Sequence, residues 1–265
     1  MKKVTPEMKE EALRKMVKNG KIPQSIFKYR SDDKFTEIIF IDKTLWFSHP
    51  NAFNDPFDCW ANVAEPKSTD IQELIENNVE IPYEKAMCYA GVPTFNKKML
   101  KECVDKALSE IGVCCFSKKK DTILMWSHYT DYHTGLCLEF DILKDTNCFT
   151  LALPIIPTSQ MPEYNHFKEH DKLFEKVIQP KADFWEYEEE IRIVKTPEDI
   201  KNNHGSQAFK FNPKALTKVI FGCKATPTTI EKYRRLCNVP DFKHVKFSKM
   251  ESLTDGTFGL IEKEI

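Results

Sequence analysis

The sequence predicts an α+β fold in which short, mainly antiparallel strands form mixed sheets against packed helices. The second half of the chain contains many short runs of β-forming residues, each bounded by turn residues. Amphipathic helical stripes interrupt these runs irregularly, without the regular alternation that is typical of a doubly wound parallel sheet. With 265 residues, 41% of them hydrophobic and 30% charged, the chain has the composition of a globular protein with a sizeable core.

Before residue 112 the sequence predicts helices, together with an early strand and an extended segment at Leu45-Trp46-Phe47. Residues 5–19 form an amphipathic helix that begins at Thr5-Pro6 and ends before Gly20. Ser31 is expected to cap a second helix. Residues 68–112 carry two apolar stripes at helical spacing, which predict a helical insertion or lid on a mixed-sheet body. Because no low-complexity linker interrupts the chain, we expect a single domain over residues 1–265.

Most of the predicted strands lie after residue 112. The expected strands are Ile26–Arg30, Val113–Phe116, Leu136–Phe140, Phe149–Leu153, Glu190–Val194, Ala208–Phe211, Lys218–Phe221, His244–Phe247 and Phe258–Lys263. The expected helices between them are Thr122–Tyr129, Asp171–Phe184 and Pro227–Cys237. Residues 199–205 are polar and contain a glycine, which predicts a surface loop.

Charge and cysteine content exclude several classes of protein. The 39 basic and 40 acidic residues nearly cancel, so net charge gives no reason to expect wholesale binding to nucleic acid or membranes. The nine cysteines are odd in number and include no C-x-x-C pair, which favours reduced thiols over a disulfide framework. The charged N-terminus and the lack of a long apolar run predict a soluble cytoplasmic protein with no membrane partner and no obligate partner.

The first motif, NAFNDPFD at residues 51–58, predicts a rigid turn. Asn54 and Asp55 can bond nearby backbone N–H groups, and the proline that follows fixes φ. Phe53 and Phe57 flank the turn as two expected anchors on a core. The motif is consistent with a purely architectural turn, or with Asn54 or Asp55 projecting a hydrogen-bonding group into a cleft.

The second motif, MWSHYTDYHTG at residues 125–135, predicts a short helix that leads into a strand. Helical spacing places Met125, His128, Tyr129 and Tyr132 on roughly one face. His128 is a candidate general acid or base, or a phosphate ligand, because its charge changes near neutral pH. A histidine among aromatic residues is also typical of a partly buried packing residue.

The third motif, FWEYEEEIRIVK at residues 184–195, predicts a charged strand. In an extended segment Glu188, Glu190 and Arg192 share one face. They form either a solvated face with ion pairs across strands or a cleft in which Arg192 keeps one or two carboxylates ionised. Glu139, within a predicted apolar strand, is a further inward-facing candidate.

Taken together, the sequence motifs resemble those of a known family. Tyr29-Arg30, LWFSHPNAFNDPFD, CFS, MWSHYTDYHTGLCLEFD and W-x-Y-E-x-E-x-R occur in one order. The set is similar to the bacterial and phage-associated proteins called domain of unknown function 2971, over about residues 27–265. That family brings no established activity, so the resemblance implies a shared architecture and leaves the reaction open.

A second resemblance concerns the order of the candidate residues, which is similar to that in ADP-ribosyltransferases. In that family an early Arg or His orients NAD, and a late Glu stabilises the reacting ribose. The resemblance implies that Arg30 contacts the cofactor, that Tyr29, Trp46 or Tyr129 stacks on a ring, and that Glu188 or Glu190 is catalytic. The chain departs from that family because it lacks a Ser-Thr-Ser-type strand and a clear E-x-E or Q-x-E placement.

Three functions remain open on the sequence. The favoured one is a transferase or glycosidic-bond enzyme acting on a nucleotide or nucleic-acid substrate, with NAD as the candidate cofactor. The second is a metal-dependent phosphodiesterase or nuclease in which Asp55, His128, Glu188 and Glu190 hold Mg²⁺. The third is a non-enzymatic sensor or interaction module, in which the motifs only stabilise the fold. The sequence contains no Gly-rich phosphate loop, H-E-x-x-H or G-x-S-x-G.

Overall fold

The computed structural model of the protein describes residues 5–65, 67 and 97–265. Contacts divide the chain into two compact units. The first unit comprises Met1–Ser48, Gly112–Pro154 and Phe184–Ile265, and the second comprises His49–Ile111 and Ile155–Asp183. The single-domain organisation stays a prediction.

Short strands account for most of the regular structure. In chain order the described strands are β1 (Ser25–Arg30), β2 (Thr44–Trp46), β3 (Asn62–Val63), β4 (Gly112–Ser117), β5 (Leu136–Asp141), β6 (Ala152–Pro154), β7 (Ile156–Thr158), β8 (Glu163–Tyr164), β9 (Pro180–Ala182), β10 (Glu190–Lys195), β11 (Ala208–Lys210), β12 (Leu216–Phe221), β13 (Lys246–Ser252) and β14 (Leu260–Glu264). The described α-helices are α1 (Pro6–Lys18), α2 (Lys34–Ile41), α3 (Lys97–Ser109), α4 (Ile123–Tyr129), α5 (Pro197–Asn202) and α6 (Pro227–Leu236).

The first unit is built on an eight-stranded sheet with the order β14-β13-β12-β5-β1-β4-β10-β6. Every neighbouring pair in this sheet is antiparallel except β12 and β13, which are parallel. A separate antiparallel pair, β2 and β11, belongs to the same unit. The α+β class with mainly antiparallel short strands is therefore confirmed.

The central strands bury both of their faces. One face carries the larger core, to which Phe116, Leu138, Phe140, Ile191 and Phe221 contribute. The opposite face carries a smaller core made of Phe27, Tyr29, Met125, Trp126, Cys137, Ile220 and Met250. Since successive side chains of a strand point to opposite faces, this division follows from the alternation along β1, β5 and β12.

The smaller-core face also carries a row of aligned residues across the sheet. Glu190 pairs with Ser117, Ser117 with Phe27, Phe27 with Glu139, and Glu139 with Lys218. Residues that pair across antiparallel strands point to the same face. The two polar ends of this row therefore share one face of the sheet and are separated by the small core.

Several local predictions need correction. Asp33, not Ser31, caps α2, because the Asp33 carboxylate accepts a hydrogen bond from Thr36 N at 2.7 Å. Residues 199–205 are partly helical, since α5 begins at a Thr196 capping box with Asp199. The predicted helix Asp171–Phe184 is replaced by short pieces, namely the 3₁₀ turn His170–Lys172, the π turn Phe174–Ile178 and the strand β9.

The second unit combines α3 with two short parallel strand pairs, β3–β8 and β7–β9. The apolar stripe of α3 buries Leu100, Val104 and Leu108, in agreement with the predicted helical spacing. Of the predicted insertion 68–112, residues 68–96 lie outside the described residues.

Two global features concern the part of the chain that the structure describes. Its eight cysteines are all free, as the sequence predicts for reduced thiols. Within the same ranges, no helix is both long and apolar enough to cross a membrane.

Candidate active site

The second and third motifs meet at a buried carboxylate. The Tyr129 hydroxyl, at the end of α4, donates a hydrogen bond of 2.5 Å to Glu188 Oε1. The Glu188 side chain lies in the interior, with 3% of the residue exposed. This contact joins residues 59 positions apart, so two motifs that are separate in the sequence form one site.

Local backbone geometry directs Glu188 into this position. Glu188 is the last residue of a 3₁₀ helix, Asp183–Glu188, and Glu189 then adopts a left-handed conformation with φ of 40°. The Ser117 hydroxyl donates to the Glu188 carbonyl at 2.7 Å, and Lys118 N donates to the Glu189 carbonyl at 3.0 Å. The strand begins at Glu190 as predicted, but the extended conformation expected at Glu188 is wrong.

Glu190 and Arg192 form a buried ion pair beside this carboxylate. Arg192 Nε donates to Glu190 Oε1 at 2.8 Å, and a terminal Arg192 nitrogen donates to Glu190 Oε2 at 3.2 Å. Arg192 is fully buried and Glu190 is 3% exposed. A bidentate guanidinium–carboxylate pair is strong and directional, so it fixes the start of β10.

The pKa shifts of neighbouring groups follow from the same burial. Burial raises the pKa of Tyr129, and the charge of Glu188 raises it further, so the phenol stays a hydrogen-bond donor at ordinary pH. Burial also raises the pKa of the Cys115 thiol well above its usual range, and the Glu190 carboxylate contributes to this shift. Cys115 pairs with Arg192 across β4 and β10.

We call Cys115, Tyr129, Glu188, Glu190 and Arg192 the Glu188 cluster.

Aromatic rings extend from the Glu188 cluster towards more exposed positions. The His128 ring lies 6.3 Å from the Tyr187 ring, and the Tyr187 ring lies 6.1 Å from that of Trp185. His128 itself is exposed. The predicted helical face is therefore only partly buried, with Tyr129 directed to Glu188 and Tyr132 72% exposed.

Tyr29 is buried beneath α4. Its ring meets the edge of Trp126 with 5.2 Å between centroids, and its hydroxyl donates to the Lys119 carbonyl at 2.9 Å. Burial raises the pKa of Tyr29. The Trp126 indole N–H donates to the Lys120 carbonyl at 2.8 Å. Tyr29 and Trp126 therefore fix the loop between β4 and α4.

Glycine is required where this motif joins the sheet. A Cβ atom at Gly135 would lie 2.3 Å from the Arg30 carbonyl oxygen, closer than atoms can approach. The preceding residues Asp131, Tyr132 and His133 all have positive φ, between 47° and 72°. The D-Y-H-T-G motif at residues 131–135 thus forms a tight left-handed turn that brings α4 against β1.

Arg30 is not brought to the Glu188 cluster. Its Nε donates to the Thr36 hydroxyl at 3.0 Å, and a terminal nitrogen lies 3.8 Å from the Asp33 carboxylate. Strand alternation directs Arg30 to the sheet face opposite to Phe27, and Phe27 shares its face with Glu190. Arg30 therefore stabilises the corner between β1 and α2.

Glu139 belongs to a second polar group on the same sheet face. It accepts a hydrogen bond from the Ser25 hydroxyl at 3.0 Å and lies 3.8 Å from Lys218 Nζ. Lys218 also donates to Glu262 at 2.7 Å, and Lys120 pairs with the other Glu262 oxygen. Burial opposes the charge of Glu262, but the two lysines outweigh it and lower its pKa to about 2. We call Lys120, Glu139, Lys218 and Glu262 the Glu262 cluster.

The Glu262 cluster is distinct from the Glu188 cluster. Three strand spacings separate Glu139 from Glu190 along the aligned row. Neighbouring strands lie about 4.8 Å apart, so this separation is about 15 Å. Glu139 therefore does not join Glu188 and Glu190.

Asn54 and Asp55 lie in the second unit. Asp55 Oδ1 accepts a hydrogen bond from Phe57 N at 2.9 Å, which makes the predicted side-chain turn. Phe57 is 67% exposed, so the prediction that it anchors the turn on a core is wrong. Asn54 is exposed as well.

Two contributors to the site were missed by sequence reasoning. Ser117 fixes the Glu188 carbonyl, and Lys119 forms an ion pair with Glu189. The C-F-S motif contains Ser117, but the alternation of side chains along the strand does not show which residue the Ser117 hydroxyl contacts. Lys119 belongs to a short basic run that is typical of a solvated surface, and only the folded chain brings it to Glu189.

Comparison with known proteins supports the family resemblance. The model of a family described as "Protein of unknown function (DUF2971)" matches residues 125–193, which include the second motif and all but the last two residues of the third. The predicted resemblance to that family is confirmed over this segment. No curated protein and no solved structure matches the chain.

Proposed function

We propose that the Glu188 cluster is the centre of a nucleotide-directed glycosyl transfer, with NAD as the donor of an ADP-ribosyl group. The single observation that carries the proposal is the 2.5 Å hydrogen bond from Tyr129 to the buried Glu188 carboxylate. A carboxylate held in this way, in a low-dielectric site, is what an oxocarbenium-like ribose needs for stabilisation.

Glu188 and Tyr129 have different roles in this reaction. The bond between ribose C1′ and the nicotinamide nitrogen breaks, and its electron pair leaves with nicotinamide. Glu188 stabilises the positive charge that develops at C1′, while Tyr129 keeps the carboxylate oriented. An acceptor hydroxyl or water then bonds to C1′ and releases its proton to solvent. Water as acceptor gives nicotinamide and ADP-ribose.

The surroundings of Glu188 supply groups suited to the rest of a nucleotide. The three rings of His128, Tyr187 and Trp185 form a row from which an aromatic base can find a stacking partner. Lys119 is exposed, and its ion pair with Glu189 is of the surface type that contributes little and is readily exchanged. We assign Lys119, in place of Arg30, to the pyrophosphate. Arg192 has a positioning role because it is fully buried on Glu190.

The test is release of nicotinamide from NAD by the purified full chain. We expect Glu188→Gln to lower the rate by about a hundredfold or more, because the developing charge loses its counter-charge. Glu186→Gln is the matched control, since Glu186 is an exposed glutamate of the same 3₁₀ helix. Equal thermal stability of the two variants excludes unfolding as the cause. Wild-type protein that releases no nicotinamide would contradict the proposal.

The metal-dependent phosphodiesterase has less support. Among the residues that the structure describes, no group of three or more His, Cys, Asp or Glu side chains is placed to hold a metal ion. Adding a chelator to the same assay distinguishes the two enzymes. We expect nicotinamide release to persist in the chelator, whereas a phosphodiesterase activity that the chelator abolishes would favour the metal enzyme.

One observation favours a non-enzymatic module as the second candidate. Glu190 and Arg192 are buried and hydrogen-bonded to each other, which is how a charged pair that only shapes the fold is arranged. In that case Glu188→Gln changes stability, and neither the wild type nor the variant consumes NAD.

A further inference from the structure

An open pocket of about 530 Å³ lies at the C-terminal end of α6, far along the sheet order from β10. Its walls come from the last turn of α6, from the 3₁₀ turn Pro240–Phe242 with Lys243, and from Phe247 on β13. Phe247 packs against the larger core, whereas Glu190 points to the opposite face of the sheet. The pocket is therefore separate from the Glu188 cluster, and its size is typical of sites for small molecules.

The charge of this pocket contrasts with that of the whole protein. Its walls carry three cations, Arg234, Arg235 and Lys243, against the single carboxylate of Glu231. The chain as a whole has a formal net charge of −1. In the described part of the chain, neither Arg235 nor Lys243 takes part in an ion pair. The cations therefore keep their capacity to bind an anion.

Arg234 is the most strongly oriented of these cations. Its guanidinium lies 5.3 Å from the centre of the Phe247 ring, and Phe247 itself stacks on Phe221 with 12° between the ring planes. Arg234 Nε is buried and has no hydrogen-bond partner among the described residues. A buried donor that lacks an acceptor is costly, and the contact with Phe247 does not remove that cost.

A structural explanation accounts for only part of this arrangement. Arg234 and Arg235 lie in the last turn of α6, where a positive charge interacts favourably with the helix dipole. That interaction explains two basic residues at this position. It does not explain a third cation on the following turn, or a buried N–H group of Arg234 without an acceptor.

We propose that this pocket binds a small organic phosphate. The guanidinium groups and Lys243 suit a phosphate, because Arg binds its oxygens with paired donors and Lys supplies a point charge. Phe242 and Val245, both buried, provide an apolar wall for the organic part of the ligand. The inference does not depend on the reaction proposed for Glu188.

The test is calorimetric titration of the full chain with three probes, phenyl phosphate, inorganic phosphate and phenol. We expect phenyl phosphate to bind most tightly, since it alone uses both the cations and the apolar wall. Lys243→Gln and Arg234→Gln should each weaken its binding by about tenfold or more, because each removes a charge-assisted contact. Lys246→Gln is the matched control, as Lys246 is exposed three residues from Lys243 and lies outside the pocket.

Three results of this titration would overturn the proposed phosphate site. If Arg234→Gln fails to fold without its Phe247 contact, the exposed Lys243 still provides the decisive variant. No binding of phenyl phosphate at millimolar concentration would overturn the proposal. Equal weakening by Lys243→Gln and Lys246→Gln would also overturn it, because the attraction would then be a general surface charge. Phenol binding as tightly as phenyl phosphate would show an apolar site and contradict a phosphate site.

Discussion

The two acidic clusters on one sheet face differ in how their charges are neutralised. In the Glu188 cluster the ion pair is between Glu190 and a fully buried arginine, and a tyrosine holds the second carboxylate. In the Glu262 cluster two lysines share the carboxylate, and the Lys120 side chain is 38% exposed. Lysine keeps its ammonium hydrated, whereas the guanidinium of Arg192 can be buried with planar hydrogen bonds. The Glu188 cluster is therefore removed from water, whereas the Glu262 cluster keeps a partly hydrated partner.

The largest expected difference between the clusters concerns their ion pairs. Arg192→Met leaves Glu190 buried without its counter-charge, which should lower the free energy of unfolding by about 3–5 kcal/mol. The equivalent change in the Glu262 cluster, Lys120→Met, removes a lysine that is 38% exposed and should cost about 0–1 kcal/mol. Urea denaturation of both variants measures the difference. Similar losses in both would mean that the contrast in burial has no energetic consequence.

The next effect concerns the hydrogen bond to Glu188. Tyr129→Phe keeps the ring and removes only the hydroxyl donor, so unfolding free energy should fall by about 1.5–3 kcal/mol, as for hydrogen bonds to charged groups. Tyr132→Phe is the matched control, because Tyr132 belongs to the same motif and is 72% exposed. Thermal and urea unfolding would reveal the loss. A Tyr129→Phe variant as stable as the wild type would show that the contact is weak.

A third prediction concerns how α4 is brought to the cluster. Gly135→Ala places a methyl group 2.3 Å from the Arg30 carbonyl, and the strain should cost about 1–3 kcal/mol. Gly259→Ala is the control, because its added carbon meets only the flexible Leu253 side chain. The melting temperatures of the two variants provide the comparison, and a larger loss for Gly259→Ala would contradict the account.

The smallest effect is the pH dependence of the Glu262 cluster. The pKa of folded Glu262 is lowered from 4.5 to about 2, so its contribution to stability is complete above about pH 4.5. That contribution is lost as the pH falls towards 2, when the folded carboxylate takes up its proton. Because the Lys120 side chain that pairs with Glu262 is 38% exposed, we expect the contribution to the free energy of unfolding to be less than about 1 kcal/mol. The stability difference between wild type and Glu262→Gln should therefore shrink between pH 4.5 and 2, and a difference that grows there would be inconsistent with the assignment.

Sequence patterns predicted the parts of this fold that depend on local periodicity. The antiparallel strands, the apolar stripe of α3 and the side-chain turn at Asp55 follow from residue spacing and turn chemistry. The segment 171–184 has enough apolar residues for a helix, but tertiary contacts divide it into short turns and a strand. Propensity is too weak to resist such contacts.

The site was predictable only in part, because it depends on strand order and on one backbone reversal. Alternation placed Glu190 and Arg192 on one face, as observed in β10. The same rule could not show that Glu188 ends a helix, since this requires the left-handed φ of Glu189. Nor does residue order reveal that Arg30 points to the other sheet face from Glu190, because that requires the pairing of β1, β4 and β10.

We propose that the Glu188 cluster, and not the Glu262 cluster, performs the glycosyl transfer from NAD. The most direct measurement compares the rate of nicotinamide release from NAD by the wild type, Glu188→Gln and Glu262→Gln under one set of conditions. We predict that the wild type and Glu262→Gln release nicotinamide at similar rates, and that Glu188→Gln loses about a hundredfold or more. Equal rates for the wild type and a folded Glu188→Gln variant would contradict the claim.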